Sequence, residues 1–153
     1  MSTATTTKIE TMQVYQVFIK ATPEQIWEAI IDPELTTKYF HGSRITITPE
    51  RRISTSPDGS EVRGDSPILE WDPPRRLVHG WQPLYDPELA SEEPSRVTWE
   101  IEPQDGGISK LTLVHDRLEN SPKTAANVAG EGWMMVLSGL KTLLEVGQPL
   151  VDR

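Results

Sequence analysis

Residues 121–147 read SPKTAANVAGEGWMMVLSGLKTLLEVG, and this C-terminal segment decides the fold. Ser121 and Pro122 are typical of an N-cap and a first helical residue, while Gly147 and Pro149 are typical of a helix end. At about 100° per residue, an apolar stripe fills an arc of roughly 120°. Its members are Ala125, Ala126, Ala129, Trp133, Val136, Leu137, Leu140, Leu143 and Leu144. The pattern predicts one helix about 40 Å long, which is long enough to cross a whole sheet.

The charge of the chain narrows the range of partners. The 153 residues have a net charge of −8 at pH 7, with a composition typical of a folded protein. A nucleic-acid backbone or an anionic membrane surface repels such a chain. We therefore expect neither nucleic acids nor membranes as partners.

Cysteine usage and hydropathy indicate a cytoplasmic protein. The sequence contains no cysteine, which excludes disulfides, thiolate metal sites and a cysteine nucleophile. No apolar run approaches the roughly 18 residues of a membrane-spanning helix, so we expect no membrane insertion. Residues 1–11 are mostly polar, and we expect a flexible N-terminal tail followed by a single domain over residues 12–150.

The sequence of the first part of this domain predicts a strand followed by two short helices. Alternating apolar residues predict the strand over residues 12–20. The motif TPEQ at residues 22–25 combines an N-cap, a proline at the first helical position and a capping-box glutamine. The motif DPE at residues 32–34 repeats the start signal, so we expect a second helix that ends near Phe40.

The sequence of the central part of the domain predicts several strands joined by turns. We expect these strands over residues 44–48, 51–55, 60–64, 67–71, 75–82, 96–102 and 109–118. Residues 83–94 contain three prolines and four acidic side chains, which indicate a long loop. This loop is either a solvated crossing or a lid that contacts a cavity through Tyr85 and Leu89.

The order of these motifs resembles that of the helix-grip superfamily, also called START or SRPBCC. The matching pieces are IKATPEQIWEA at 19–29, DPE at 32–34, LEWDPPRRLV at 69–78, KLTLVH at 110–115 and GW at 132–133. The chain is similar to the branch named after the activator of heat-shock-protein-90 ATPase homologue. This resemblance implies an α+β helix-grip fold. In that fold a strongly curved antiparallel sheet of about six or seven strands wraps on a long C-terminal helix, with two short helices after the first strand.

Side chains on the inner face of this sheet form the candidate ligand site. Strand alternation and the helix stripe place them opposite each other, around a cavity suited to an apolar or aromatic molecule. The predicted ligand-binding residues are Trp81, Trp99, Leu113, His115, Trp133, Val136, Leu137 and Leu140. The alternative is a filled core in which each tryptophan and histidine is hydrogen-bonded internally.

Two histidine side chains are weak candidates for catalytic groups. His79 and His115 can act as general bases because imidazole titrates near neutral pH. The three histidines of the chain lack metal-ligand spacing, so we expect no metal, and no motif predicts a cofactor.

Three functions follow from these patterns. The leading hypothesis is non-enzymatic binding of a small hydrophobic or aromatic molecule, with a link to the stress response. The resemblance implies a second hypothesis, a chaperone-associated accessory protein. The third hypothesis is a cyclase-like enzyme that uses His79 or His115.

Overall fold

The computed structural model describes residues 11–129 and 131–151. In this part of the chain the strands are β1 (Gln13–Ile19), β2 (Arg44–Ile47), β3 (Arg51–Thr55), β4 (Val62–Asp72), β5 (Arg76–Trp81), β6 (Ser95–Pro103) and β7 (Ser109–Asp116). The α-helices are α1 (Pro23–Ile31), α2 (Pro33–Thr36), α3 (Pro87–Ala90), α4 (Pro122–Val128) and α5 (Glu131–Val146). Apart from Thr11, the predicted tail lies outside the described residues.

The strands form one antiparallel sheet in the order β1-β7-β6-β5-β4-β3-β2. Each strand from β2 to β6 pairs with the next strand along the chain, and β1 pairs with β7. The predicted α+β class with a curved sheet and two short helices after the first strand is confirmed.

Strand β4 differs from the prediction, because residues 60–64 and 67–71 were expected as two strands. Its first part pairs with β3 as far as Pro67, and its second part pairs with β5 from Ile68 onward. Pro67 has no amide hydrogen to donate, but it lies where the pairing partner changes. One continuous strand therefore spans both halves of the sheet.

The two short helices begin where the capping motifs predict. Thr22 Oγ1 accepts from the Gln25 backbone N–H at 3.1 Å, and Gln25 Oε1 accepts from the Thr22 N–H at 2.9 Å. Asp32 caps α2 through the Glu34 N–H at 2.9 Å. Helix α2 ends at Thr36, before the predicted end near Phe40.

The predicted long C-terminal helix is present as α5, but its predicted extent over residues 121–147 is wrong, because the segment forms two helices, α4 and α5. Ala129 has an extended backbone (φ −71°, ψ 167°), and the glycines at positions 130 and 132 have low helix propensity. The break turns Ala126 and Ala129 toward solvent. The rest of the apolar stripe, from Trp133 onward, lies on α5 and packs against the core.

Ser121 precedes α4 but does not cap it with its side chain. Its hydroxyl donates instead to the Glu93 carbonyl at 2.6 Å. The Glu92 carboxylate takes over the capping role, because it accepts from the backbone N–H groups of Lys123 and Thr124 at 2.9 and 2.8 Å. The acidic loop therefore fixes the position of α4.

Candidate functional site

A cavity of about 410 Å³ lies between the inner face of strands β3 to β5 and helices α4 and α5. This volume falls within the range of small-molecule sites. Its apolar lining comprises Phe40, Trp81, Pro83, Val128, Trp133 and Val136. Its polar lining includes Ser43, Arg52, Ser54, Glu61, Arg63, Gln82, Tyr85 and Asn127.

Three of the predicted ligand-binding residues, Trp81, Trp133 and Val136, line this cavity. The others are buried and do not line it, so their contact with a ligand stays a prediction: Trp99, Leu113, His115, Leu137 and Leu140. Strand alternation predicts which side chains point inward, but it does not predict whether they meet protein atoms or a void.

The aromatic side chains of the cavity belong to one packed cluster. The ring centroid of Trp133 lies 5.2 Å from that of Trp81, 5.7 Å from that of Phe40 and 5.8 Å from that of Trp99. These distances fall in the range of favourable aromatic pairs. The cluster gives the cavity a wall that continues into the core.

His79 is fully buried, and both of its ring nitrogens are hydrogen-bonded within the protein. Trp99 Nε1–H donates to His79 Nε2 at 3.0 Å, so the ring proton sits on Nδ1 and is donated to the Gly80 carbonyl at 2.7 Å. Burial, reinforced by the charge of Arg52, lowers the pKa of His79 well below its usual value.

His115 has the same kind of environment with the opposite tautomer. Trp133 Nε1–H donates to His115 Nδ1 at 3.0 Å, and His115 Nε2–H donates to Ser95 Oγ at 2.7 Å. Burial lowers the pKa of His115 to about 3. Neither this ring nor that of His79 lines the cavity, and neither has a nitrogen left to exchange a proton with a bound molecule.

Arg52 is a site residue that the sequence reasoning missed. It lies on β3 with 5% of its surface exposed, and it faces the cavity. Its guanidinium carbon is 4.7 Å from the ring centroid of Trp81 and 5.5 Å from that of Phe40. Burial lowers the pKa of Arg52 to about 10, so the side chain stays positively charged at neutral pH.

Within the described residues, Arg52 has no carboxylate partner and Trp81 has a buried donor without an acceptor. Among the carboxylates that the structure describes, none lies within salt-bridge distance of Arg52. Trp81 Nε1 is buried and has no hydrogen-bond partner in the described part of the chain. A buried donor without an acceptor is rare in folded proteins.

The acidic loop forms part of the cavity mouth. Tyr85 lines the cavity, and its hydroxyl donates to Asn127 Oδ1 on α4 at 3.0 Å. Leu89 lies on α3 and is buried away from the cavity. Gln82 Nε2 holds the loop by donating to two of its carbonyls at 2.9 and 3.0 Å. Tyr85 thus makes the cavity contact that was predicted for a lid, whereas movement of this loop as a lid stays a prediction.

Residues 11–129 and 131–151 contain neither a metal-ligand cluster nor a helix suited to crossing a membrane. No cluster of three or more histidine, cysteine or acidic residues is arranged to hold a metal ion there. None of the helices in this range has the length and apolar character that crossing a membrane requires.

The chain resembles known proteins in sequence and in structure. Residues 20–145 match the family model described as "Activator of Hsp90 ATPase homolog 1-like protein". No curated protein matches the chain significantly.

Three solved structures illustrate the likeness in fold. A protein from Mesorhizobium loti aligns at a TM-score of 0.68 with 22% identity, over 88% of this chain and 97% of its own. A protein from Rhodobacter sphaeroides aligns at 0.64 with 26% identity, over 89% and 93%. An HSP90 activator from Plasmodium falciparum aligns at 0.68 with 18% identity, over 92% and 99%.

Proposed function

The chain belongs to the Activator of Hsp90 ATPase homolog 1-like family, and from that premise we propose that residues 12–150 form one domain that binds a small hydrophobic or aromatic molecule. The observation that carries the proposal is the cavity of about 410 Å³ between the sheet and the C-terminal helices. A filled core would leave no such space.

The lining suits a molecule with a flat or chain-like apolar body. Trp81, Trp133 and Phe40 present large rings to the cavity, and Val128 and Val136 close it from the helix side. Burying apolar ligand surface against such groups is favourable by about 25 cal/mol per Å². The few polar lining groups would fix the orientation of the ligand.

Filling the cavity tests this proposal. Ser54 is on the inner face of β3, lines the cavity and has no side-chain hydrogen bond in the described part of the chain. We expect Ser54→Phe to weaken binding of naphthalene-type aromatics and medium-chain fatty acids by about 10-fold or more, which corresponds to about 1.4 kcal/mol. Isothermal titration calorimetry on the folded variant measures the effect.

The neighbouring position supplies the matched control. Ile53 lies on the same strand with its side chain on the exposed face, so Ile53→Phe adds a ring without entering the cavity. Wild-type affinity in Ile53→Phe together with lost affinity in Ser54→Phe supports the proposal. Unchanged affinity in Ser54→Phe would place the ligand elsewhere.

A second candidate is a chaperone-associated accessory function, with the stress-response link that this implies. The family description supports it, as does the likeness in fold to the HSP90 activator from Plasmodium falciparum. Stimulation of the ATPase activity of Hsp90 by the purified chain is the test. An ATPase rate that stays at its basal value, together with the absence of a complex, would reject this candidate.

We do not extend the proposal to a cyclase-like enzyme. The sequence-based candidates for a general base were His79 and His115, and both ring nitrogens of each are engaged with protein groups. Proton transfer to a bound molecule needs a ring nitrogen within hydrogen-bond reach of that molecule.

A further inference from the structure

The most unusual charged group in the cavity is Arg52. Long basic side chains are almost never fully buried unless they are paired. Arg52 is 95% buried, and its guanidinium contacts aromatic rings but none of the described carboxylates within salt-bridge distance. Cation–π contacts recover only part of the free energy that desolvating the charge requires.

The surroundings of Arg52 leave space beside the guanidinium. Gly64 on the adjacent strand β4 has no side chain, and a Cβ built there would lie 3.6 Å from Arg52 Nη1. Both residues line the cavity. The guanidinium therefore borders the open volume and keeps its hydrogen-bond donors free of carboxylate partners from the described chain.

The charge of the lining also differs from that of the protein as a whole. The chain has a net charge of −8. The cavity is lined by two guanidiniums, those of Arg52 and Arg63, and by one carboxylate, that of Glu61. Arg63 is held at the mouth, where its Nη1 donates to Ser43 Oγ at 2.9 Å. This excess of guanidiniums over carboxylates in the lining favours an anionic ligand group.

We propose that the molecule bound in this cavity carries a carboxylate, and that Arg52 binds it while the apolar body of the molecule packs against Trp133 and Val136. This inference rests on the proposed function and specifies its ligand class as hydrophobic or aromatic carboxylic acids. A guanidinium presents a rigid fork of N–H donors that matches the two oxygens of a carboxylate.

The first experiment compares each acid with its uncharged counterpart at pH 7.5. The probes are 1-naphthaleneacetic acid with 1-naphthaleneacetamide, and decanoic acid with decan-1-ol, titrated calorimetrically into the full chain. We expect each acid to bind about 10-fold or more tightly than its neutral counterpart, since a charge-assisted hydrogen bond is involved. This comparison uses the wild-type protein and does not depend on the folding of a variant.

The second experiment removes the charge. Arg52→Met is expected to abolish the preference for the acids while leaving binding of the amide and the alcohol within about threefold, because methionine retains the apolar stem. Arg51→Met is the matched control. Arg51 lies on the same strand with an exposed side chain that pairs with Asp65 at 2.6 Å, so its removal should leave the preference intact.

The outcomes of these experiments distinguish the carboxylate assignment from the proposed function on which it rests. A preference for acids that Arg52→Met removes and Arg51→Met retains supports the carboxylate assignment. Equal binding of acids and neutral counterparts by the wild-type chain overturns it and leaves the proposed function standing. If none of the four probes and none of a wider panel of apolar molecules binds, the proposed function fails and the carboxylate assignment fails with it.

Discussion

Acidification from pH 6.5 to pH 5 is expected to lower the free energy of unfolding by about 3 kcal/mol, because two buried histidines resist protonation. In the folded chain the pKa of His115 falls to about 3 and that of His79 lies well below 6.5. An unfolded chain has histidines with the ordinary value, so it binds more protons in this range. The stabilisation is complete above pH 6.5 and is lost as the pH falls toward the folded-state pKa values.

Urea unfolding at a series of pH values measures this loss, and side-chain NMR of the histidines identifies its source. Both rings should stay neutral at pH 5, His79 as the Nδ1–H tautomer and His115 as the Nε2–H tautomer. A pKa near 6.5 for His79 or His115 would contradict the neutral network.

Replacing Trp133 by alanine is expected to destabilise the protein by about 3–5 kcal/mol, the range for removing a buried tryptophan. Trp133 is 2% exposed and contacts Trp81, Trp99 and Phe40. Its indole N–H also donates to His115, so the replacement leaves a buried acceptor without a donor. Equilibrium unfolding in urea measures the change in free energy.

A second replacement separates packing from hydrogen bonding at this position. Trp133→Phe keeps an aromatic ring but removes the N–H, and we expect a loss of about 1–3 kcal/mol from the unpaired His115 Nδ1. Met134, the next residue on α5, is exposed, so Met134→Ala should change the stability by no more than about 0.5 kcal/mol. A Trp133→Ala variant as stable as Met134→Ala would show that Trp133 is not part of the core.

Much of the fold could be predicted because local signals agreed with the global arrangement. The capping box at Thr22, the alternation in β1 and the turn before β7 each depend on nearby residues. The break between α4 and α5 was missed because the apolar stripe continues in phase through Ala129. The start of α4 also depends on a tertiary contact, since it is capped by Glu92 from a distant loop.

The candidate site was harder to predict, and Arg52 shows why. Strand β3 reads RRIST, and its only apolar residue is Ile53, which alternation would place inside. In the structure Ile53 is 39% exposed, while Arg52 and Ser54 face the cavity. Here the polar inner face of β3 borders a void that neighbouring strands and helices leave, and a single sequence does not encode that void locally. The sequence feature that could have indicated the site was Arg52, which alternation places on the strand face opposite to Ile53.

The central claim, a ligand cavity walled by tryptophans, is tested most directly by following the five indole N–H groups by nitrogen-15 NMR during titration with aromatic and fatty carboxylic acids. Trp81 and Trp133 line the cavity, so their signals should shift together and saturate. Trp27 and Trp71 contact each other at a centroid distance of 5.1 Å outside the lining, and their signals should stay still. Signals of Trp81 and Trp133 that remain unmoved across the whole panel would contradict the account.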